Sequence, residues 1–220
     1  MTTKPKAVLF DWDNTLAQTR NAVVETIEKV LKAYNKEPWA VTKAKYRDGT
    51  KSFKENFPNF FGENAKQAYE DYLNDYNPNS VTPTEGSLEF LEFCQKENIE
   101  IYIISNKEKS LLLNEVKACF SDTPFLGIYG NGETKNNKPA ADPVFLALKN
   151  ATFEINKENV WLVGDSKQDT ECAFNANILP VLISKGLFMD NDYIKSKKNN
   201  MLVFNSFREL LEFIKRGKNE

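Results

Sequence analysis

The chain has 220 residues, with 29 Lys and Arg against 31 Asp and Glu and a formal net charge of -2, so no overall positive field exists to hold nucleic acid or an anionic membrane. It contains no histidine, which excludes Ser-His-Asp and Cys-His catalysis, histidine-ligated zinc and phosphohistidine chemistry. Its three cysteines, Cys94, Cys119 and Cys172, lack a C-x-x-C pair and read as reduced core thiols, not as a disulfide framework or a zinc knuckle.

Met1 to Lys6 carries two lysines, and the apolar run that follows, Ala7 to Phe10, stops at Asp11, too short for a signal peptide. No segment approaches the roughly 18 apolar residues of a membrane span. A cytoplasmic protein with no membrane partner is expected. Lys6 to Phe10 reads as a buried strand. After Asp13 no second strand follows promptly, and from about Gln18 to Pro83 the pattern is helix and loop. Asn21 to Tyr34 is amphipathic, with Val23, Val24, Ile27, Val30 and Leu31 at helical spacing. Phe53, Phe57, Phe60, Phe61, Tyr69, Tyr72, Leu73 and Tyr76 form a second apolar set. These rings read mainly as the segment's own interior, with a pocket that stacks a nucleobase as the alternative. Asn77-Pro78-Asn79-Ser80 and Thr82-Pro83 mark a returning hinge.

Helical patterns at Ser87 to Glu97, Lys109 to Phe120, Pro143 to Asn150 and Lys167 to Ala176 then alternate with apolar runs at Ile99 to Ile104, Val160 to Val163, Val181 to Ile183 and Met201 to Phe204. Such alternation predicts an α/β protein with a doubly wound parallel sheet. The expected division is a core of residues 1–17 and 84–220 with a helical insertion at 18–83. Gly127 to Gly132 fits neither G-x-x-x-x-G-K-S/T nor a dinucleotide fingerprint and reads as a turn leading to Lys138. Asp142-Pro143 predicts a capping carboxylate before a proline at the first helical position, and Ser206 to Glu209 a capping box. Lys195 to Asn200 reads as a solvated loop. Leu210, Leu211 and Ile214 are expected to pack the last helix on the sheet.

The chemistry follows from where the strands end, because open α/β sheets bind ligands beyond the carboxyl ends of their strands. Asp11 and Asp13 end the first run, Ser105-Asn106 ends the second, Lys138 precedes a helix, and Gly164-Asp165-Ser166-Lys167-Gln168-Asp169 follows Val160 to Val163. Phosphoryl transfer needs an in-line nucleophile, a proton donor for the leaving oxygen and positive charge around the transferring group. Asp11 and Asp13 can divide attack and proton handling. Asp165 adds a further hard oxygen, a set that suits Mg²⁺. Lys138 supplies positive charge, and Ser105 can hydrogen-bond phosphate oxygens. Arg47 is the candidate among several basic residues of the insertion for a bidentate clamp on a substrate carboxylate or phosphate.

Asp11-Trp12-Asp13-Asn14-Thr15, Ser105-Asn106, Lys138-Pro139 and Gly164-Asp165-Ser166-x-x-Asp169, in this order, resemble the haloacid dehalogenase superfamily of hydrolases, in its phosphoglycolate-phosphatase-like branch. The resemblance implies a Rossmann-like core with a helical cap inserted after the first strand, and an enzyme hydrolysing a small phosphate monoester. It implies that Asp11 forms an aspartyl-phosphate and that Asp13 protonates the leaving group and then activates water. Asp11, the Asp13 carbonyl and Asp165 would bind Mg²⁺, with Asp169 in the surrounding shell. Thr15, Ser105, Asn106 and Lys138 would contact the phosphoryl group.

Within such a family Asp13 favours phosphoryl chemistry over carbon-halogen cleavage, since an alkoxide needs a proton and a halide does not. A phosphonoacetaldehyde hydrolase would need a Schiff-base lysine, for which no lysine stands in an identifiable context, and the missing histidine weakens a sugar-phosphate mutase. A silent binding module and a phospho-accepting signalling domain are the remaining alternatives. Phosphoglycolate, a nucleotide and a sugar phosphate all stay open as substrates, and oligomeric state is not legible.

Overall fold

The computed structural model describes residues 4–48, 51–183 and 191–216, so Met1 to Thr3 of the lysine-bearing start lie outside the described residues. The chain opens with β1 (Ala7–Phe10) and β2 (Ala17–Gln18), then runs through the helices α1 (Arg20–Ala33), α2 (Trp39–Tyr46), α3 (Phe57–Phe61) and α4 (Ala65–Asp75) to β3 (Thr82–Pro83). There follow α5 (Ser87–Lys96), β4 (Glu100–Glu108), α6 (Lys109–Cys119), β5 (Gly127–Asn131), α7 (Asp142–Ala147), β6 (Val160–Gly164) and α8 (Lys167–Asn175). The last described elements are β7 (Leu179–Ile183), α9 (Asn191–Lys197), β8 (Leu202–Phe204) and α10 (Phe207–Arg216).

Six parallel strands form one sheet in the order β5-β4-β1-β6-β7-β8. This is a doubly wound α/β sheet. β1 and β6 are buried along their whole length, which is why their sequences are continuous apolar runs without alternation. The chain moves outward from β1 through β4 to β5, then returns to β6 on the other side and proceeds to β8. Strand order therefore reverses at β1, and the crevice of such a reversal lies at the carboxyl ends of β1, β4 and β6.

The stretch expected as a turn, Gly127 to Gly132, is mostly the edge strand β5, with Tyr102 paired to Gly127 and Ile104 to Tyr129. Its signal is weak because it is only partly buried and carries glycines, yet the ladder with β4 supplies its hydrogen bonds. A Cβ at Gly130 would stand 2.8 Å from Lys109 Cα, so glycine permits the close approach. β4 also runs beyond Ile104 to Glu108, with a register shift between those residues. Irregular pairing of this kind re-aims side chains beside ligand sites, and it carries Ser105, Asn106 and Lys107.

The helices α1 to α4 occupy the stretch between β2 and β3, which pair antiparallel at its two ends. Phe57, Phe60, Phe61 and Tyr72 are buried. Phe57 stacks on Phe61 with centroids 5.2 Å apart and meets Tyr69 edge-on at 4.8 Å. The rings thus pack on one another and continue into the core formed with Phe10, Trp12 and Phe90, in place of a stacking pocket for a base.

Helix ends depart from expectation in two places. Pro143 lies in the first turn of α7, but Asp142 is itself helical and its carboxylate accepts from Asn136 Nδ2 at 3.0 Å, so Ala141 occupies the cap position. At α10 the Ser206 hydroxyl accepts from Glu209 N at 3.3 Å, whereas the Glu209 carboxylate reaches back to Asn205 N at 2.9 Å, one residue earlier than a capping box requires. Lys195 to Asn200 is not a loop but the end of α9 and a 3-10 turn, mostly exposed. Lysine is a good helix former, and its polarity hides that from a hydrophobic pattern. Phe207, Leu210 and Ile214 bury α10 against the sheet, with Leu211 half-buried.

Candidate active site

Asp11 is the residue after β1 and is nearly buried, with its main-chain N-H donated to Val163 O at 2.8 Å. The chain then turns tightly: Ala17 N donates to Trp12 O at 3.1 Å and Asn14 N to Ala17 O at 2.7 Å. Asn14 sits at φ 61°, a left-handed conformation that asparagine tolerates better than most residues. The turn folds Thr15 back so that its hydroxyl donates to Asp11 Oδ2 at 3.1 Å.

Lys138 meets Asp11 from the other side. Its Nζ donates to Asp11 Oδ1 and to Asp169 Oδ1, both at 2.6 Å, and its side chain is 3% exposed. Asn106 clamps the Lys138 backbone: its Oδ1 accepts from Lys138 N at 3.0 Å and its Nδ2 donates to Lys138 O at 2.8 Å. Asn106 therefore acts on the site through Lys138. Asp169 is held a second time, because with Ser166 it forms the capping box of α8: Ser166 N and Oγ donate to Asp169 Oδ2 at 3.1 and 2.5 Å.

Carboxylate oxygens of Asp11, Asp165 and Asp169 lie within 4.8 Å of one another. Burial, followed by Asp169, pushes the Asp11 carboxyl up to about 7 despite Lys138. Burial, then Asp11 and Asp169, pushes Asp165 up to about 9. Lys138 shifts upward, its burial outweighed by the two carboxylates it joins. One buried cation does not balance this concentration of negative charge, and a set of hard oxygens with unbalanced charge fits a divalent cation such as Mg²⁺.

Gly164 fixes how closely α8 approaches β6. A Cβ there would come within 2.3 Å of Asp169 Cβ and 2.6 Å of its Oδ2. Gly164→Ala is expected to push Asp169 off Lys138, costing about 1–3 kcal/mol of stability and most of the activity. A thermal melt and a rate measurement check this, and an unchanged Tm would contradict the packing described.

Asp13 makes its hydrogen bonds outside the Lys138 cluster. Its Oδ1 accepts from Thr19 Oγ1 at 2.5 Å and from Lys107 Nζ at 2.8 Å. Burial pushes Asp13 up, but Lys107 and Thr19 outweigh it and hold the carboxyl below its ordinary value. Ser105 is nearly buried, and its hydroxyl accepts from Lys107 N at 3.1 Å. The cluster's ion pairs are made without Arg47, an exposed residue that follows α2. Nothing local in the sequence singles out Glu115 or Thr19, and for Lys107 the one signal is its place directly after Ser105-Asn106.

Fold and site together define a doubly wound α/β protein whose acidic cluster, bridged by one lysine, sits at the reversal point of a parallel sheet. A family model described as haloacid dehalogenase-like hydrolase matches residues 8–183, and the chain belongs to that family. A pyrophosphatase PpaX from Listeria welshimeri is 25% identical over 182 residues, covering 81% of this chain and 83% of its own length. A haloacid dehalogenase superfamily hydrolase from Ehrlichia chaffeensis is 26% identical with a TM-score of 0.63, covering 98% of each chain. A predicted phosphoglycolate phosphatase from Haemophilus somnus shares the fold with a TM-score of 0.79 at 18% identity, covering 97% of this chain and 99% of its own. No helix among the described residues is long and apolar enough to cross a membrane.

Proposed function

We propose that the chain is a Mg²⁺-dependent phosphatase that hydrolyses a small phosphate monoester through an aspartyl-phosphate on Asp11. The observation that carries this reading is the Lys138 ammonium bridging Asp11 and Asp169 beside Asp165, at the carboxyl edge of the sheet. Mg²⁺ would be held by Asp11, the Asp13 carbonyl and Asp165, and when bound it neutralises charge on the phosphoryl oxygens. Asp169 is already committed to Lys138 and Ser166, which supports a place in the surrounding shell.

An Asp11 carboxylate oxygen attacks phosphorus in line as the bond to the leaving oxygen breaks, and Asp13, which must carry its proton against the pull of Lys107 and Thr19, gives that proton to the leaving oxygen. Water then attacks phosphorus, Asp13 takes its proton, and the Asp11-phosphorus bond breaks to release phosphate. Thr15 and Lys138 orient the nucleophile, Ser105 faces the phosphoryl oxygens, and Asn106 fixes Lys138. Residues 18–83 act as a cap over the site. Within it Lys43 is held below its ordinary value by burial and then by Arg47 and Arg20, which supports Arg47 as the contact to a remote anionic group of the substrate.

The test is phosphate release from p-nitrophenyl phosphate and from a panel of phosphoglycolate, nucleotides and sugar phosphates, with Mg²⁺ and with a chelator. The relatives named pyrophosphatase add pyrophosphate to the panel. Turnover should require Mg²⁺, and saturating the site at about 100 Kd should stabilise the fold by about 2.7 kcal/mol, an effect Asp165→Asn removes. Absence of phosphate release from every compound would overturn the reading.

A further inference from the structure

We infer that Lys107 is a positioning residue that decides which oxygen of Asp13 exchanges the reactive proton: it holds Oδ1, leaving Oδ2 for chemistry. The inference rests on the proposed acid-base role of Asp13. It is carried by a buried network that the Lys138 cluster does not use. The Lys107 side chain is only 7% exposed, and its Nζ is 2.8 Å from both Asp13 Oδ1 and Glu115 Oε1. The Tyr76 ring centroid lies 5.4 Å from the same ammonium. Glu115 is fully buried and also accepts from the Trp12 indole N-H and the Tyr76 hydroxyl. Those partners come from the turn after β1, from the residue after α4, and from α6, so Lys107 has little freedom to move.

Burying a lysine between two carboxylates contributes little net stability, because desolvation offsets the attraction and apolar side chains fill such a space as well. The arrangement is therefore better explained by what it does to Asp13. Thr19 Oγ1 donates to the same Oδ1 at 2.5 Å. A protonated carboxyl has one acceptor oxygen and one O-H. An oxygen facing a lysine, which can only donate, and a hydroxyl already donating to it stays an acceptor in both protonation states. The mobile proton then resides on Oδ2, at a fixed orientation, when Asp13 acts as acid and when it acts as base. Lys107 N also donates to Ser105 Oγ at 3.1 Å, so one residue braces the acid-base group and the proposed phosphate contact.

The test compares kcat/KM for phenyl phosphate and p-nitrophenyl phosphate, which match in shape while the phenolate is the poorer leaving group and gains more from a proton. Asp13→Asn and Lys107→Met should each raise the p-nitrophenyl to phenyl ratio by about tenfold or more, and Lys107→Arg should restore most of the wild-type ratio. Should Lys107→Met fold poorly, Lys107→Met with Glu115→Gln removes the second unpaired charge and should show the same selectivity, with a thermal melt as control. Equal losses on both substrates in the Lys107 variants, beside a selective loss in Asp13→Asn, would make Lys107 merely structural and overturn the inference. An unselective Asp13→Asn would instead remove the acid-base role of Asp13, and the inference with it.

Discussion

Asp11→Asn is expected to lower turnover by about a thousandfold or more while leaving a folded protein that, without metal, melts at a higher temperature than the wild type. Both halves come from the same geometry. The variant keeps an acceptor for Lys138 and Thr15 but has no carboxylate to form the phosphoenzyme. It also removes one negative charge from a cluster whose oxygens lie within 4.8 Å of one another. The pH dependence has a definite sign. The Asp11 carboxyl is raised from 3.8 to about 7 in the folded chain, so its contribution to stability is fully present below about 4 and is lost as pH rises through about 7. Asp165, raised to about 9, extends the loss upward. The melting temperature of the metal-free wild type should therefore fall relative to Asp11→Asn between about pH 4 and 7. Near the top of that range a gap of about 1–2 kcal/mol, or roughly 2–8 °C in Tm for a chain of this size, is expected. Melts across pH in chelator decide the matter, and a variant that is less stable than wild type at pH 8 would show that Asp11 is a structural partner of Lys138 first.

Lys138→Met should have the largest effect on stability. Lys138 is the cation shared by Asp11 and Asp169, at 2.6 Å from each, and those side chains are 10% and 2% exposed. Removing one partner from a buried ion pair leaves the other charge uncompensated, a loss of about 3–5 kcal/mol or roughly 6–20 °C in Tm. Turnover should fall by about 10²–10³ from the lost charge stabilisation of the transferring group. Without the lysine the main opposition to the burial that raises Asp11 is gone, so its carboxyl moves further above about 7. The stability gap to wild type should widen as pH rises through that value. A coupling test sharpens this, because Asp11→Asn and Lys138→Met touch one interaction and should not add. The double variant should be less destabilised than the sum of the single ones, whereas strict additivity would mean that the 2.6 Å contact carries no energy.

Most of the site could be read from residue order. Asp11, Ser105-Asn106, Lys138 and Asp165 to Asp169 each stand at or near the end of an apolar run or the start of a helix, and those signals are local. Burial on both faces dictates a continuous apolar strand, and a carboxylate directly after it is visible without any partner. The edge strand β5 was not legible, because two glycines and partial exposure erase the pattern and its identity comes from the ladder with β4.

The order of the acidic and basic groups along the chain was thus determined by the sequence, together with the alternation that makes a parallel sheet and the length of the helical stretch between β2 and β3. Tertiary structure alone decided which charge answers which. Lys107 meets Asp13 across 94 positions and Lys138 meets Asp11 across 127, and no periodicity spans such a distance. It also decided that Asp169 serves both as a helix cap and as a partner of Lys138, and that Glu115 on α6 is fully buried. A charged residue's role depends on the dielectric around it and on the nearest opposite charge, and both are set by the folded chain.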